Sequence, residues 1–222
     1  DLRKRKKVEE ELSSSLQEIQ RQSEDRKLLL QEIHHRVKNN MQVISSLLSI
    51  QSAPLDETQR TVFLECRERI RAMSLIHDRL YSTGRYEAID FGDYLREMTS
   101  LITSSNRPGD SDILIDMNVS PLEVAVEQAV PLSLIASELV LNSLKHAFKG
   151  RQEGRLIIRL SEKEGTRELF IGDDGPGFPD VKPKSSGIGI QLIERLTKQI
   201  RGRIECSSGP GAGTTITWQN RA

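Results

Sequence analysis

Long apolar runs are missing from this sequence of 222 residues. None approaches the ~18–20 residues that a membrane-spanning helix needs, and no secretory leader is visible. Aromatic residues make up only 4% of the chain, while charged residues make up 29%. That balance suits long helices joined to a small mixed domain. Neither sign of charge is in excess, with 32 basic against 32 acidic residues. A broad electrostatic attraction to nucleic acid or to an anionic membrane is therefore excluded. Cysteine is scarce as well. Cys66 and Cys206 lie far apart and match no metal-ligand spacing, so they read as reduced core thiols of a cytoplasmic protein. There is no internal repeat and no long low-complexity tract. The chain opens in the middle of a helical pattern, which suggests a piece of something longer.

What is present begins with a helix over residues 1 to about 51. Its apolar positions step by four and three through Leu12, Leu16, Ile19, Leu30, Ile33, Val37, Ile44 and Leu47. Unbroken, it would be ~75 Å long at ~1.5 Å per residue. The basic run Arg3 to Lys7 reads as a solvated helix face. Ser23, Arg26 and Asn40 interrupt the seam with polar groups, which fix register at some loss of stability. The heptad phase puts His34 beside the seam and His35 on the solvent side. An exposed imidazole on a stiff helix has no packing role, but in its neutral form it is a nucleophile.

Pro54 breaks this helix, and Asp56 or Glu57 favours the start of a second one, running to about Tyr81. Its apolar stripe comprises Val62, Cys66, Ile70, Met73, His77 and Leu80, which makes His77 a core histidine. A short connection makes the two helices antiparallel neighbours. One hairpin has too narrow a core to stand alone, so two copies pairing as a four-helix bundle are expected. Beyond residues 82–88 the pattern alternates between elements. It predicts a helix over 91–103, strands over 112–119 and 122–126, and a helix over 131–148. A hairpin from 155–160 and 168–172 follows, then a helix over 187–200 and strands over 203–207 and 214–219. The result is an α/β sandwich whose mostly antiparallel sheet is covered on one face.

Four features of this second half fit one site. Glu138, Asn142, Lys145 and His146 are three and four residues apart, on one helical face. A carboxylate, a carboxamide and a cation so arranged suit a Mg²⁺–phosphate group. A salt-bridged exposed face is equally open on spacing alone. Asp173-Asp174-Gly175-Pro176-Gly177 directly follows a strand. Its glycines let the backbone approach a flat ligand, and Asp173 can accept a hydrogen bond from an exocyclic amine. A plain turn is the alternative. Gly187-Ile188-Gly189 opens a helix and offers backbone N–H groups to an anion, or is a glycine-tolerant cap. Gly213-Thr214-Thr215 ends a loop between strands. In this order, the four argue together far more strongly than any one alone.

The set resembles the GHKL (Bergerat) nucleotide-binding fold of sensor histidine kinases. Glu138-x-x-x-Asn142 resembles the N box, Asp173-x-Gly175-x-Gly177 the G1 box, Gly187-x-Gly189 the G2 box and Gly213-Thr214 the last glycine box. His35-Arg36-Val37-Lys38-Asn39 resembles the phosphotransfer helix of the HWE-related, HisKA type 2 branch. The resemblance covers roughly Leu28 to the end of the chain. The histidine stretch and the N box, with its His146, are its specific parts, whereas gyrase and MutL relatives share the glycine boxes.

The resemblance implies an α+β architecture: a signalling coiled coil over 1–27, a dimerising phosphotransfer hairpin over 28–83, a linker over 84–89 and a GHKL ATP-binding domain over 90–222. It implies ATP and Mg²⁺ as cofactors, a homodimer, an upstream sensor domain, and a response-regulator receiver as partner. His35 would be the phosphoacceptor and Asp173 the adenine contact. Asn142 would bind Mg²⁺, with Glu138 reaching the same ion directly or through water. Lys145 and the backbone near Gly187 and Gly189 would hold phosphate. Thr214 or Thr215 would support Asp173. Three departures stand out. Arg36 follows His35 where many relatives have an acid, leaving Glu32, one turn back, as the candidate base. The Trp-x-Glu motif of the HWE group is absent, since the only tryptophan is Trp218. The segment 178–186 is short for a nucleotide lid. A GHKL ATP hydrolase with no phosphohistidine is the competing reading, and a non-catalytic dimeric scaffold is the third.

Overall fold

The computed structural model describes residues 2–82, 88–106, 112–177, 188–207, 209 and 213–220, and the chain divides into two compact units, 1–43 and 44–222. The first unit is helix alone. Helix α1 spans Leu2–Ser52, and within this unit its apolar seam stands open. Leu12, Leu16, Ile19 and Ile33 each keep more than half of their surface exposed. A single helix cannot bury its own stripe, so local contacts hold it. One is an ion pair of Arg36 with Glu32 at 2.7 Å.

The second unit starts in the last turns of α1. The chain turns at residues 53–56, and the Asp56 carboxylate accepts the Gln59 N–H at 2.9 Å. That contact caps helix α2, Glu57–Ser82. Strand β1, Ala88–Asp90, pairs antiparallel with β3, Glu123–Ala125. The predicted linker 84–89 therefore ends inside a strand, with Ile89 buried, while residues 83–87 lie outside the described part. Asp90 then caps helix α3, Phe91–Ser105.

The main sheet comprises β2 (Asp112–Val119), β4 (Glu153–Lys163), β5 (Thr166–Asp173), β6 (Arg203–Cys206) and β7 (Gly213–Gln219). Its order is β2-β4-β5-β7-β6. Only β2 and β4 run parallel. Side chains alternate across each strand, so Leu156, Ile158, Leu160, Leu169, Ile171, Ile216 and Trp218 share one buried face. Helices α3, α4 (Val126–Asn142) and α5 (Ile188–Gln199) cover that face. The sandwich expected from the alternation is the one observed. Helix α2 joins its core through Ala72, Ile76 and Leu80, and the buried Tyr94 hydroxyl donates to the Ala72 carbonyl at 3.2 Å.

Three expectations need correcting. Helix α4 begins at Val126, not Pro131, and carries Pro131 inside it. Tertiary contacts outweigh the proline's cost there: Ala129 is buried, and the buried Gln128 side-chain amide donates to the Gln219 carbonyl at 3.0 Å. The helix also does not run on to Phe148 as an α-helix, because Ser143–Ala147 form a π-helical turn. Finally, Cys206 is exposed on β6 rather than in the core, and neither cysteine is disulfide-bonded.

Candidate functional site

The site lies where the end of α4, its π turn, the end of β5 and the start of α5 meet. Asp173 is the last residue of β5 and points to the helix-covered face. Two donors hold its carboxylate. The Ser143 hydroxyl donates to Oδ2 at 2.6 Å, and the Gly175 N–H donates to Oδ1 at 3.0 Å. An aspartate held this way presents its remaining lone pairs in fixed directions. Glycine at 175 is required by the close approach, since a Cβ there would lie 2.6 Å from that of Ala147. Gly177 adopts φ +80°, and a Cβ on it would strike the Gly209 carbonyl.

Asp174 anchors the same turn from outside. It accepts the Arg155 N–H at 3.0 Å and a guanidinium N–H from Arg151 at 3.0 Å. Its burial alone would raise its pKa, but these hydrogen bonds and the charge of Arg151 hold it below the ordinary carboxylate value.

The side of the cluster between α4 and α5 is built differently. Glu138 on α4 is only 4% exposed. Gly189, at the start of α5, approaches it so closely that a Cβ would sit 2.7 Å from Oε2. The Glu138 carboxylate receives a two-pronged hydrogen bond from Arg69 of α2, at 2.5 and 3.0 Å. This contact, foremost, raises the Arg69 pKa above its ordinary value against the effect of burial. Lys145 in the π turn is paired with Glu65 of α2 at 2.6 Å, and Glu65 also faces Arg69 at 3.7 Å.

Not every predicted residue meets the others. Asn142 is half-buried at the end of α4, and His146 is exposed beyond it. Thr214 shares the covered face with Asp173, but its hydroxyl lies 3.8 Å from the Cys206 sulfur. Thr215 alternates to the opposite face of β7. The hydroxyl that donates to Asp173 is that of Ser143. Gly187 lies outside the described residues. In the first unit His35 is exposed and His34 half-buried. Glu32, the candidate base, is engaged by Arg36.

Among the described residues, no three His, Cys, Asp or Glu side chains gather to hold a metal by themselves. A hard cation here would need oxygens from a phosphate ligand as well, the usual situation for Mg²⁺. Asn142 and Glu138 fit such a partial site.

Comparison with known proteins decides the family. Residues 32–106 match the family described as histidine kinase, and residues 127–221 match the family described as histidine kinase-, DNA gyrase B-, and HSP90-like ATPase. The chain belongs to the histidine kinases. Blue-light-activated histidine kinase 2 of Erythrobacter litoralis is 28% identical over 194 residues, covering 84% of this chain and 55% of the relative. Sensor histidine kinase PdtaS of Mycolicibacterium smegmatis is 30% identical over 194 residues, covering 84% of this chain and 38% of the relative. The chain thus spans about half or less of these relatives. The histidine kinase domain of an Erythrobacter litoralis blue-light-activated histidine kinase superposes with a TM-score of 0.63 at 22% identity, covering 80% of this chain and 95% of that one. That likeness establishes the shared fold, a helical region followed by a GHKL sandwich.

Sequence reasoning missed three residues that contact the predicted ones. Ser143 directly follows Asn142, and only the packing of α4 on β5 brings its hydroxyl to Asp173. Glu65 and Arg69 form an i,i+4 pair flanking the apolar stripe of α2, the commonest signature of a solvated helix face. Nothing local distinguishes them from one.

Proposed function

We propose that this chain is the core of a sensor kinase that phosphorylates itself on His35 from ATP and then passes the phosphoryl group to an aspartate of a response-regulator receiver. The reading rests foremost on one observation: an exposed imidazole at residue 35, within a stretch matching the histidine kinase family, in a chain that also carries a GHKL domain with an oriented Asp173. Asp173 accepts the adenine amino group, and the glycines at 175 and 177 let the base lie against the backbone. Lys145 and the start of α5 near Gly187 and Gly189 hold phosphate oxygens. Asn142 and Glu138 supply protein oxygens to Mg²⁺, which when bound would neutralise charge on the phosphates.

A neutral imidazole nitrogen of His35 attacks the γ-phosphorus. The bond from that phosphorus to the β,γ-bridging oxygen breaks, ADP leaves with the oxygen, and the imidazole releases its proton. Attack by the receiver's carboxylate on the phosphohistidine then forms an acyl phosphate and restores the imidazole. The exposed seam of α1 is covered by a second copy in a homodimer. Functional limits follow the sequence: coiled coil 1–27, hairpin 28–83, linker 84–89 and catalytic domain 90–222, with a sensor domain upstream and a cytoplasmic setting. No helix among the described residues is long and apolar enough to cross a membrane.

Incubation with γ-labelled ATP tests the proposal. His35→Gln is expected to abolish labelling while leaving nucleotide binding intact. Normal labelling of that variant overturns it, and loss of labelling only in His34→Gln moves the phosphosite by one residue. Steady phosphate release with no labelled protein would instead support the ATP hydrolase reading.

A further inference from the structure

The groups that would serve Mg²⁺ and phosphate are each in contact with a side chain of like charge to the ligand that each would hold. Arg69 presents a cation to Glu138, the carboxylate assigned to Mg²⁺. Glu65 presents an anion to Lys145, the ammonium assigned to phosphate. Both come from one face of α2, a turn apart, and they also face each other. We infer that the Glu65–Arg69 pair is a built-in surrogate for Mg²⁺–phosphate, which the nucleotide must displace before it binds fully. This inference rests on the reading of Glu138 and Lys145 as nucleotide ligands.

Burial shows why such a surrogate would be held in place and yet be releasable. Glu138 is 4% exposed, so leaving it unpaired would strand a charge away from water. Arg69 therefore satisfies that buried carboxylate. Lys145 and Glu65 keep 29% and 30% of their side-chain surface in solvent, so their pairing is weaker and screened. The fully buried apolar side chains of α2, Ala72, Ile76 and Leu80, all lie in its second half, while Val62 is half exposed and the buried Glu68 sits between the members of the pair. The surrogate pair precedes that anchored half. It can let go of α4 without dismantling the core. The arrangement also divides the site by chemistry. The base-reading half, with Asp173 held by Ser143 and Gly175, is already set. The phosphate-reading half is blocked. Adenosine should bind without disturbing α2, whereas Mg²⁺–ATP must compete with it.

The test is calorimetric titration of the whole chain with a non-hydrolysable ATP analogue and Mg²⁺, and separately with adenosine. Glu65→Gln frees Lys145 without stranding a buried charge. It is expected to tighten Mg²⁺–nucleotide binding about three- to fivefold, the range that a part-exposed ion pair controls, and to leave adenosine affinity unchanged. Arg69→Gln is expected to give a larger gain, about tenfold or more. If that variant does not fold, Glu65→Gln decides alone. Unchanged or weakened Mg²⁺–nucleotide binding in Glu65→Gln overturns the inference, and so does an equal gain for adenosine. Lys145→Met separates the two levels of the argument. If it leaves nucleotide affinity intact, the nucleotide reading of the N box fails. If it weakens binding and Glu65→Gln then adds nothing on top, the surrogate role of Glu65 is upheld.

Discussion

Helices α1 and α4 both present apolar side chains at helical spacing, and they put them to opposite use. In α1 the seam of Leu12, Leu16 and Ile19 remains open within its unit, and His35 is open too. In α4 almost every position from Gln128 to Leu141 is buried, including the charged Glu138. The difference follows chemistry. The phosphoacceptor role proposed for His35 asks for a reachable side chain. The ligand role proposed for Glu138 asks for a carboxylate held still, and burial against a sheet does that.

Substitutions should break this contrast in graded fashion. The largest effect is expected from Ile135→Ala, in the fully buried middle of α4. It should cost about 2–5 kcal/mol in urea unfolding, followed by emission of Trp218, the sole and buried tryptophan. Next is Ser143→Ala, which removes the hydroxyl from Asp173 Oδ2. Losing a hydrogen bond to a charged group costs about 1.5–3 kcal/mol, so ATP affinity should fall roughly tenfold or more, and Ser143→Thr should recover much of it.

A smaller effect comes from acid. Burial, opposed by Asp78, holds the His77 pKa below 6.5 in the folded chain. The fold therefore favours the neutral imidazole. The stability so gained is complete above pH 6.5 and is lost as pH falls below it. Melting temperature should drop between pH 7.5 and 5.5, and His77→Gln should flatten that drop. The smallest effect is expected from Leu16→Ala. It should change the stability of a lone chain by no more than about 0.5 kcal/mol, because Leu16 is 58% exposed. A concentration-dependent loss several times larger would show that a second copy covers the seam.

Much of this contrast was legible in the residues themselves. Period-three-and-four stripes announced α1 and α2. Alternation announced β2, β4, β5 and β7. Asp173 ahead of two glycines announced the turn that leaves β5. The illegible parts share a cause, which is dependence on partners distant in sequence. Strand β1 is three residues long and exists because Glu123–Ala125 pair with it. Helix α4 begins before Pro131 because Gln128 reaches the end of β7. Ser143 still has α-helical geometry, and its role depends on Asp173, thirty residues further along the chain. Glu65 and Arg69 acquire their meaning only from α4. Cys206 shows the reverse error: a residue type that is usually buried lies exposed on the short strand β6.

The parallel pairing of β2 with β4 has a kinetic consequence. Strands β4 and β5 meet through a tight turn, with Lys163 opposite Thr166. They can zip early at little entropic expense. Strand β2 cannot join them until the intervening β3 and α4 have crossed over, because Asp112 must find Glu153. The sheet should therefore nucleate at its hairpin and close at its β2 margin last. In a refolding experiment, amides of β2 should be the slowest of the sheet to gain protection from exchange.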